Sequence, residues 1–241
     1  MGKAVTEQLF IGSRTKLARA SKFIDELEAL LEAFNNSSPY SARFEPAEPL
    51  PKIAIDWKGL GHEAGAVLGD AVHNLRVALD LLASELARLA GKSDRNVHFP
   101  FAASEAELAT AIEKRNFGKA GTDAVALLTQ FAPYRGGNEL LRAVHDLDIE
   151  DKHTALLETW KTMDFDVNGS YDLANPVDSE LSLDVRSITH HFSNASPLSG
   201  RPVIETLRKV QAEVLGVVDA FQDLVRTRPV KQPLEVRKGA T

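Results

Sequence analysis

The chain has 241 residues, of which 44% are hydrophobic and 26% are charged, and this is the composition of a globular protein. It contains no cysteine, which excludes disulfides and thiolate chemistry and predicts a reducing, cytoplasmic location. Its formal charge of −6 argues against a broad nucleic-acid-binding surface. It has neither an apolar run long enough to span a membrane nor the layout of a signal peptide, so we expect no membrane association.

The first third of the chain predicts two helices separated by a hairpin. Residues 6–35 carry apolar side chains at helical spacing, with Thr6 as a candidate N-cap. Residues 41–58 are rich in proline and include the alternating stretch KIAIDW, so we predict an edge hairpin there. A second long helix is predicted from about Glu63 to Ala90, because leucines repeat at helical spacing and Gly91 follows where glycine usually ends a helix.

The rest of the chain predicts four further helices and a second β-element. The helices begin near Ser104, Thr122, Asn138 and Pro202. The helix from Asn138 extends to residue 157, and we expect a break near Asp148. Residues 155–192 alternate apolar and polar side chains, with Asn168 and Gly169 as a turn signal, and predict two to four antiparallel strands.

These elements predict a mainly α fold, namely a multi-helix bundle with a small antiparallel β-element (α+β). No internal repeat or clear linker divides the chain, so we expect a single helical domain over residues 1–225. Residues 226–241 are basic and contain two prolines, which predicts a flexible basic tail.

The second long helix carries five polar or ionisable side chains in its first half, namely Asp70, His73, Asn74, Arg76 and Asp80. At about 100° per residue, five leucines fall on one side of the helix and these five polar groups on the other. The leucines are Leu75, Leu79, Leu82, Leu86 and Leu89. Asp70 and Asn74 form one strip, and the remaining three polar groups form an adjacent strip. Val77 and Leu81 lie beside the strips, so we expect part of this polar face to be covered, where its groups need bonding partners.

The stretch GDAVHNLRVALDLLASELA resembles a segment of uncharacterised bacterial and phage proteins that usually has the form GD-x-x-HNLRSALDHL. In those proteins an FP segment and later a DKH segment follow, and this chain has HFPF at 98–101 and EDKH at 150–153. The resemblance covers roughly residues 65–157 and brings no established activity with it.

A more distant resemblance is to the HEPN superfamily of helical bundles. Many of its members are metal-independent ribonucleases that work as dimers and carry an Arg-x(4–6)-His motif on one helix. The resemblance implies that Arg76 holds the scissile phosphate while a histidine moves the proton of a ribose hydroxyl. Leu81 stands where the motif would place that histidine, so His73 would have to replace it. The catalytic candidates are therefore His73, Arg76 and Asp80, with RNA or a nucleotide as ligand.

Residues 145–153, HDLDIEDKH, are the densest group of potential metal ligands. His145 and Asp146 invite comparison with HD-type metal phosphohydrolases. Two alternatives stand beside this one: a solvated acidic helix end, or a structural role in which Asp151 or His153 bonds Arg76 or Asn74 across the bundle. We predict no cofactor and no metal, with His145 and Asp146 as the candidates should a metal bind.

Three functional hypotheses result, in this order. The first is a non-catalytic helical domain whose polar face fixes helix packing or a homodimer. The second is a HEPN-like nuclease or nucleotide-binding protein, and the third is a metal phosphohydrolase. Two other histidines, His62 and His98, fall in predicted loops, where we expect ordinary solvation.

Overall fold

The computed structural model describes residues 9–45, 47, 51–153, 159–172, 180–194 and 196–228, except for the side chains of residues 152 and 153. These residues form six α-helices and four β-strands: α1 (Ile11–Asn36), β1 (Tyr40–Glu45), β2 (Lys52–Trp57), α2 (His62–Leu89), α3 (Leu108–Lys114), α4 (Thr122–Gln130), α5 (Glu139–His153), β3 (Thr159–Ser170), β4 (Glu180–Phe192) and α6 (Val203–Thr227). The predicted mainly α fold with a small antiparallel β-element is confirmed.

Helix α1 begins at Ile11, later than the sequence predicted. Phe10 adopts a left-handed backbone conformation, with φ 59° and ψ 43°, and its ring is buried in the core. The chain therefore turns at Phe10, which buries the ring and sets the start of α1 at Ile11. Thr6, the predicted N-cap, lies outside the described residues.

Helix α2 lies at the centre of the bundle and packs against α1, α5 and α6. The predicted leucine stripe forms its core face: Leu75, Leu79, Leu82 and Leu86 are fully buried. Leu89, the last leucine of that stripe and the last residue of α2, is 47% exposed. Gly91 has φ 71°, and the Lys92 N–H donates to the Ala87 carbonyl oxygen at 2.9 Å, so glycine ends the helix as predicted.

Strands β1 and β2 form the predicted hairpin, with Tyr40 opposite Trp57 and Glu45 opposite Lys52. Its larger apolar side chains are half-buried. The Lys161 ammonium lies 5.4 Å from the centre of the Trp57 ring, which is a cation–π interaction.

Strands β3 and β4 form one long antiparallel ribbon, so the predicted β-element over 155–192 consists of two strands within the described residues. The predicted turn at Asn168 and Gly169 is wrong. Both residues lie inside β3, where they pair with Ser182 and Leu181. Gly169 has φ 116°, and the Glu180 carbonyl oxygen occupies the place where a Cβ atom would be. Glycine is therefore needed there for close strand approach, and not for a turn.

Helices α5 and α6 border the rest of the core. The Asn138 side chain caps α5 as predicted, because its Oδ1 accepts a hydrogen bond from the Leu141 N–H at 3.0 Å. The expected break near Asp148 does not occur, since α5 continues through this residue. The sequence predicted Pro202 as the first residue of the last helix. In the structure Pro202 is the N-cap residue, and α6 begins at Val203.

The predicted basic tail begins later than residue 226. Arg226 and Thr227 belong to α6. Arg228 is also held, because its Nε and Nη2 atoms donate to the Asp123 carboxylate at 2.8 and 2.9 Å. The prediction for residues 229–241 lies outside the described residues. Among the helices of the described residues, none is both long and apolar enough to cross a membrane.

Candidate functional site

Arg76 is the most deeply buried cation of the predicted site, with 7% of its surface exposed. Its Nη1 atom lies 2.7 Å from Asp80 Oδ1, an ion pair without a well-directed hydrogen bond. Its Nη2 atom donates a long hydrogen bond of 3.5 Å to the Phe99 carbonyl oxygen. Its guanidinium carbon lies 4.9 Å from the centre of the Phe101 ring. A charge this buried is tolerated only with such compensation, so these contacts fix the side chain in place.

Asp80 joins α2 to the segment that follows it. Its Oδ1 atom accepts a hydrogen bond of 2.9 Å from the Phe99 N–H, and its Oδ2 atom lies 3.7 Å from His98 Nδ1. His98 is exposed, as expected, and it also lies beside Asp80 because residues 98–101 run back alongside α2. His62 is not in a loop, since it is the first residue of α2.

His73 connects α2 to α5. Its Nδ1 atom lies 2.9 Å from Asp148 Oδ1. The Asp148 side chain is 8% exposed, whereas 41% of the His73 side chain faces solvent. A buried carboxylate thus orients a half-exposed imidazole ring across the two helices. We name His73, Arg76 and Asp80 the α5-side strip, because they face α5 and the 98–101 segment.

Three side chains of α5 bear on the predicted cross-link to α2, namely Asp148, Asp151 and His153. Asp148, one turn before Asp151, contacts His73 on the polar face of α2. The Asp151 carboxylate packs over Gly69 and occupies the place where a Cβ atom would be. Glycine at this position therefore lets α2 and α5 approach closely. The side chain of His153 lies outside the described residues.

Asp70 and Asn74 form a second strip that faces α1, and we name them the α1-side strip. Asn74 is buried; its Nδ2 atom donates to the Asp70 carbonyl oxygen at 2.8 Å, and its Oδ1 atom accepts from Lys16 Nζ at 3.3 Å. The Asp70 residue is exposed. Both residues line a groove of about 620 Å³ between α1 and α2. The two strips predicted from the sequence thus have separate surroundings.

His145 and Asp146, the metal candidates, are occupied by other contacts. The His145 ring stacks on Phe101, with the ring centres 4.9 Å apart and the planes at 4°. Burial, with the nearby charges of Arg76 and Arg142, lowers the pKa of His145 from 6.5 to about 4. Asp146 accepts two hydrogen bonds from Arg142, at 3.1 and 2.5 Å. In the part of the chain that the structure describes, no group of three or more histidine or carboxylate side chains is arranged to hold a metal ion.

Two residues of this site were missed by the sequence analysis. The Phe101 ring contacts both Arg76 and His145. Arg142 binds Asp146 and donates to the Ala102 carbonyl oxygen at 2.8 Å. The only sequence signal was indirect, namely that HFPF accompanies the HNLR stretch in the proteins that this chain resembles. In the fold, HFPF lies against the residues of that stretch, as the contacts of Arg76 and Asp80 show.

No family model matches the chain, and comparisons with curated proteins and with solved structures gave no significant match. The function therefore has to be inferred from the geometry of the site.

Proposed function

We propose that this chain is a non-catalytic helical-bundle protein in which the α5-side strip holds α2 to α5 and to the 98–101 segment. The observation that carries this proposal is the environment of Arg76. Its guanidinium is 7% exposed and is already engaged by Asp80, the Phe99 carbonyl oxygen and the Phe101 ring. An arginine that binds a scissile phosphate needs its N–H groups available to the substrate.

The same contacts favour packing within one chain over packing between two chains. The partners of Arg76, Asp80 and His73 come from the 98–101 segment and from α5 of the same molecule. A homodimer built on this strip would have to displace them. Our proposal therefore assigns the strip to intramolecular packing in a cytoplasmic protein and leaves other surfaces for contacts with partners.

A second candidate function is supported by the pair of His73 and Asp148. A carboxylate that holds one nitrogen of an imidazole ring fixes its tautomer, and this is how general acid–base histidines are oriented. His73 has the required half-exposed ring. The HEPN-like alternative would thus use His73 as its base, with Arg76 released from its present contacts. The HD-type alternative has less support, because Asp146 is bound by Arg142.

The substitution Arg76→Ala tests the proposal. Removing one partner of a buried ion pair costs about 3 kcal/mol, or roughly 6–12 °C in melting temperature for a domain of this size. Arg88→Ala is the matched control, because Arg88 lies on the same helix but is 54% exposed and pairs with Asp94 at the surface. We expect a loss below about 0.5 kcal/mol for this control. Thermal melting followed by circular dichroism measures both.

An RNA-cleavage assay in EDTA separates the two candidates. The structural proposal predicts no cleavage of a fluorescent single-stranded RNA by the purified protein. EDTA-resistant cleavage that His73→Gln abolishes while the protein stays folded would overturn the proposal in favour of the nuclease. Elemental analysis of the purified protein tests the phosphohydrolase, which requires bound metal.

A further inference from the structure

The groove between α1 and α2 has a row of cations along one wall. Lys16, Arg19 and Lys22 line it from α1, and Asp70 and Asn74 line it from α2. Because the three cations are three residues apart, they follow one another along one side of the helix over about 9 Å. They give the lining a charge of +2 with Asp70 included, in a chain whose formal charge is −6.

Within the part of the chain that the structure describes, these three cations differ from Arg14 in having no carboxylate partner. Among the described residues, no carboxylate lies within salt-bridge distance of Lys16, Arg19 or Lys22, whereas Arg14 on the same helix pairs with Asp219 at 2.5 Å. The Lys16 ammonium contacts the neutral amide oxygen of Asn74. A row of unpaired cations along a concave surface is the electrostatic pattern that binds a multiply charged anion.

Arg19 is also held in a defined orientation. Its guanidinium carbon lies 4.8 Å from the centre of the Phe23 ring. A guanidinium that stacks on a ring keeps its N–H groups in the plane of the guanidinium, where they remain available as donors to an anion. Arg19 is therefore partly preorganised for binding, which reduces the entropy lost when a ligand arrives.

We propose that this groove binds a small ligand that carries a short linear chain of phosphate groups. Three successive cations match successive phosphates, and a volume of about 620 Å³ is that of a small-molecule site. The exposed Asp70 residue on the opposite wall offers an acceptor for hydroxyl or amino groups of an attached nucleoside. This inference does not depend on the proposed role of the α5-side strip, because no residue is shared.

The sequence beyond the groove favours a short ligand over a nucleic acid. The first half of α1 carries only basic charges, but Glu26 follows one turn after Lys22 on the same side of the helix. The neighbouring Asp25 and Glu28 pair with Arg208. A long polyanion that followed the row of cations would meet the Glu26 carboxylate and be repelled. An oligophosphate of two or three phosphates ends before it reaches this carboxylate.

Calorimetric titration of the full chain with tripolyphosphate and with ATP, without metal, tests the proposal. We compare wild type, Lys16→Gln/Lys22→Gln, and the charge-matched control Lys92→Gln/Lys114→Gln, whose lysines are exposed and lie outside the groove. We expect saturable 1:1 binding to wild type and to the control. The dissociation constant of the groove variant should rise by at least about tenfold, since charge-assisted hydrogen bonds are lost.

The outcomes separate the possible ligands. If ATP binds more tightly than tripolyphosphate and Asp70→Asn removes the difference, the ligand is a nucleotide. If the two bind equally, the ligand is a free oligophosphate. The proposal is wrong if neither probe binds saturably, or if the control variant loses as much affinity as the groove variant. It is also wrong if a single-stranded RNA displaces tripolyphosphate and binds more tightly through the same lysines. Melting curves of all variants verify that each is folded.

Discussion

The α5-side and α1-side strips lie side by side on α2 and are built from similar residue types, yet their surroundings differ. On the α5-side strip, Arg76 and Asp80 bind each other and the backbone of Phe99. On the α1-side strip, Asp70 is exposed, and Asn74 contacts only the backbone of α2 and Lys16 within the described residues. The first strip is therefore enclosed by its partners, whereas Asp70 of the second strip faces solvent.

The difference between the strips comes from the element that covers each one. The 98–101 segment brings the Phe99 backbone and the Phe101 ring onto the α5-side strip, which encloses its charges. Helix α1 brings cations to the α1-side strip and leaves a groove. Polar residues opposite a leucine stripe do not by themselves indicate an active site, because their role depends on what packs over them.

The most direct way to break this comparison is to make the same change in each strip. Asp80→Asn removes the charge that compensates the buried Arg76, and we expect a loss of about 2 kcal/mol, or roughly 4–8 °C. Asp70→Asn makes the identical change at an exposed position and should cost less than about 0.5 kcal/mol. Melting temperatures of the two variants measure the contrast, and equal losses would show that the two strips do not differ.

The pH dependence of the free energy of unfolding tests the α5 side of this comparison, through His145 of α5. The pKa of His145 is about 4 in the folded protein and 6.5 in the unfolded chain, because burial disfavours its charged form. Between these pH values the unfolded chain binds more protons. The stability from neutral His145 is therefore fully present above pH 6.5 and is lost as the pH falls towards 4, by up to about 1.4 kcal/mol per pH unit.

His145→Phe isolates this contribution. Phenylalanine can keep the stacking on Phe101, and His145 Nδ1 makes no hydrogen bond that would be lost. Urea unfolding between pH 4 and 7 should show a shallower pH dependence for this variant than for wild type. We expect part of the pH dependence to remain in this variant, because the pKa of buried His190 is also lowered to about 4. A pH dependence for His145→Phe as steep as that of wild type would contradict the assignment.

Local patterns predicted the elements because their causes are local. The leucine repeat located α2, Gly91 ended it, Asn138 began α5, and alternation located both hairpins. The helical wheel also separated the two strips correctly. The errors came from contacts between distant parts of the chain. Gly169 lies against the Glu180 carbonyl group, which leaves no room for a side chain. In the sequence, a glycine required for this reason cannot be told from one that forms a turn.

The site was harder to predict than the fold for the same reason. Asp148 and Asp151 are one turn apart on α5, so periodicity could not decide which of them would contact His73 and which would pack over Gly69. The partners of Arg76 include a backbone carbonyl group and the ring of Phe101, neither of which has a charge pattern that marks it in the sequence. The groove depends on the angle between α1 and α2, which no motif encodes.

The smallest expected effect concerns the contact between His73 of α2 and Asp148 of α5. His73→Gln removes the ring that contacts Asp148, and we expect a loss of about 1 kcal/mol, because the histidine is half-exposed and water can replace it. A double-mutant cycle with Asp148→Asn separates this pair from the other interactions of Asp148. Urea unfolding of the two single variants and the double variant measures the coupling. A coupling of at least about 0.5 kcal/mol would assign His73 to helix packing, as proposed. A coupling near zero would show that the contact between His73 and Asp148 does not stabilise the fold. It would favour a role of His73 as an acid–base group.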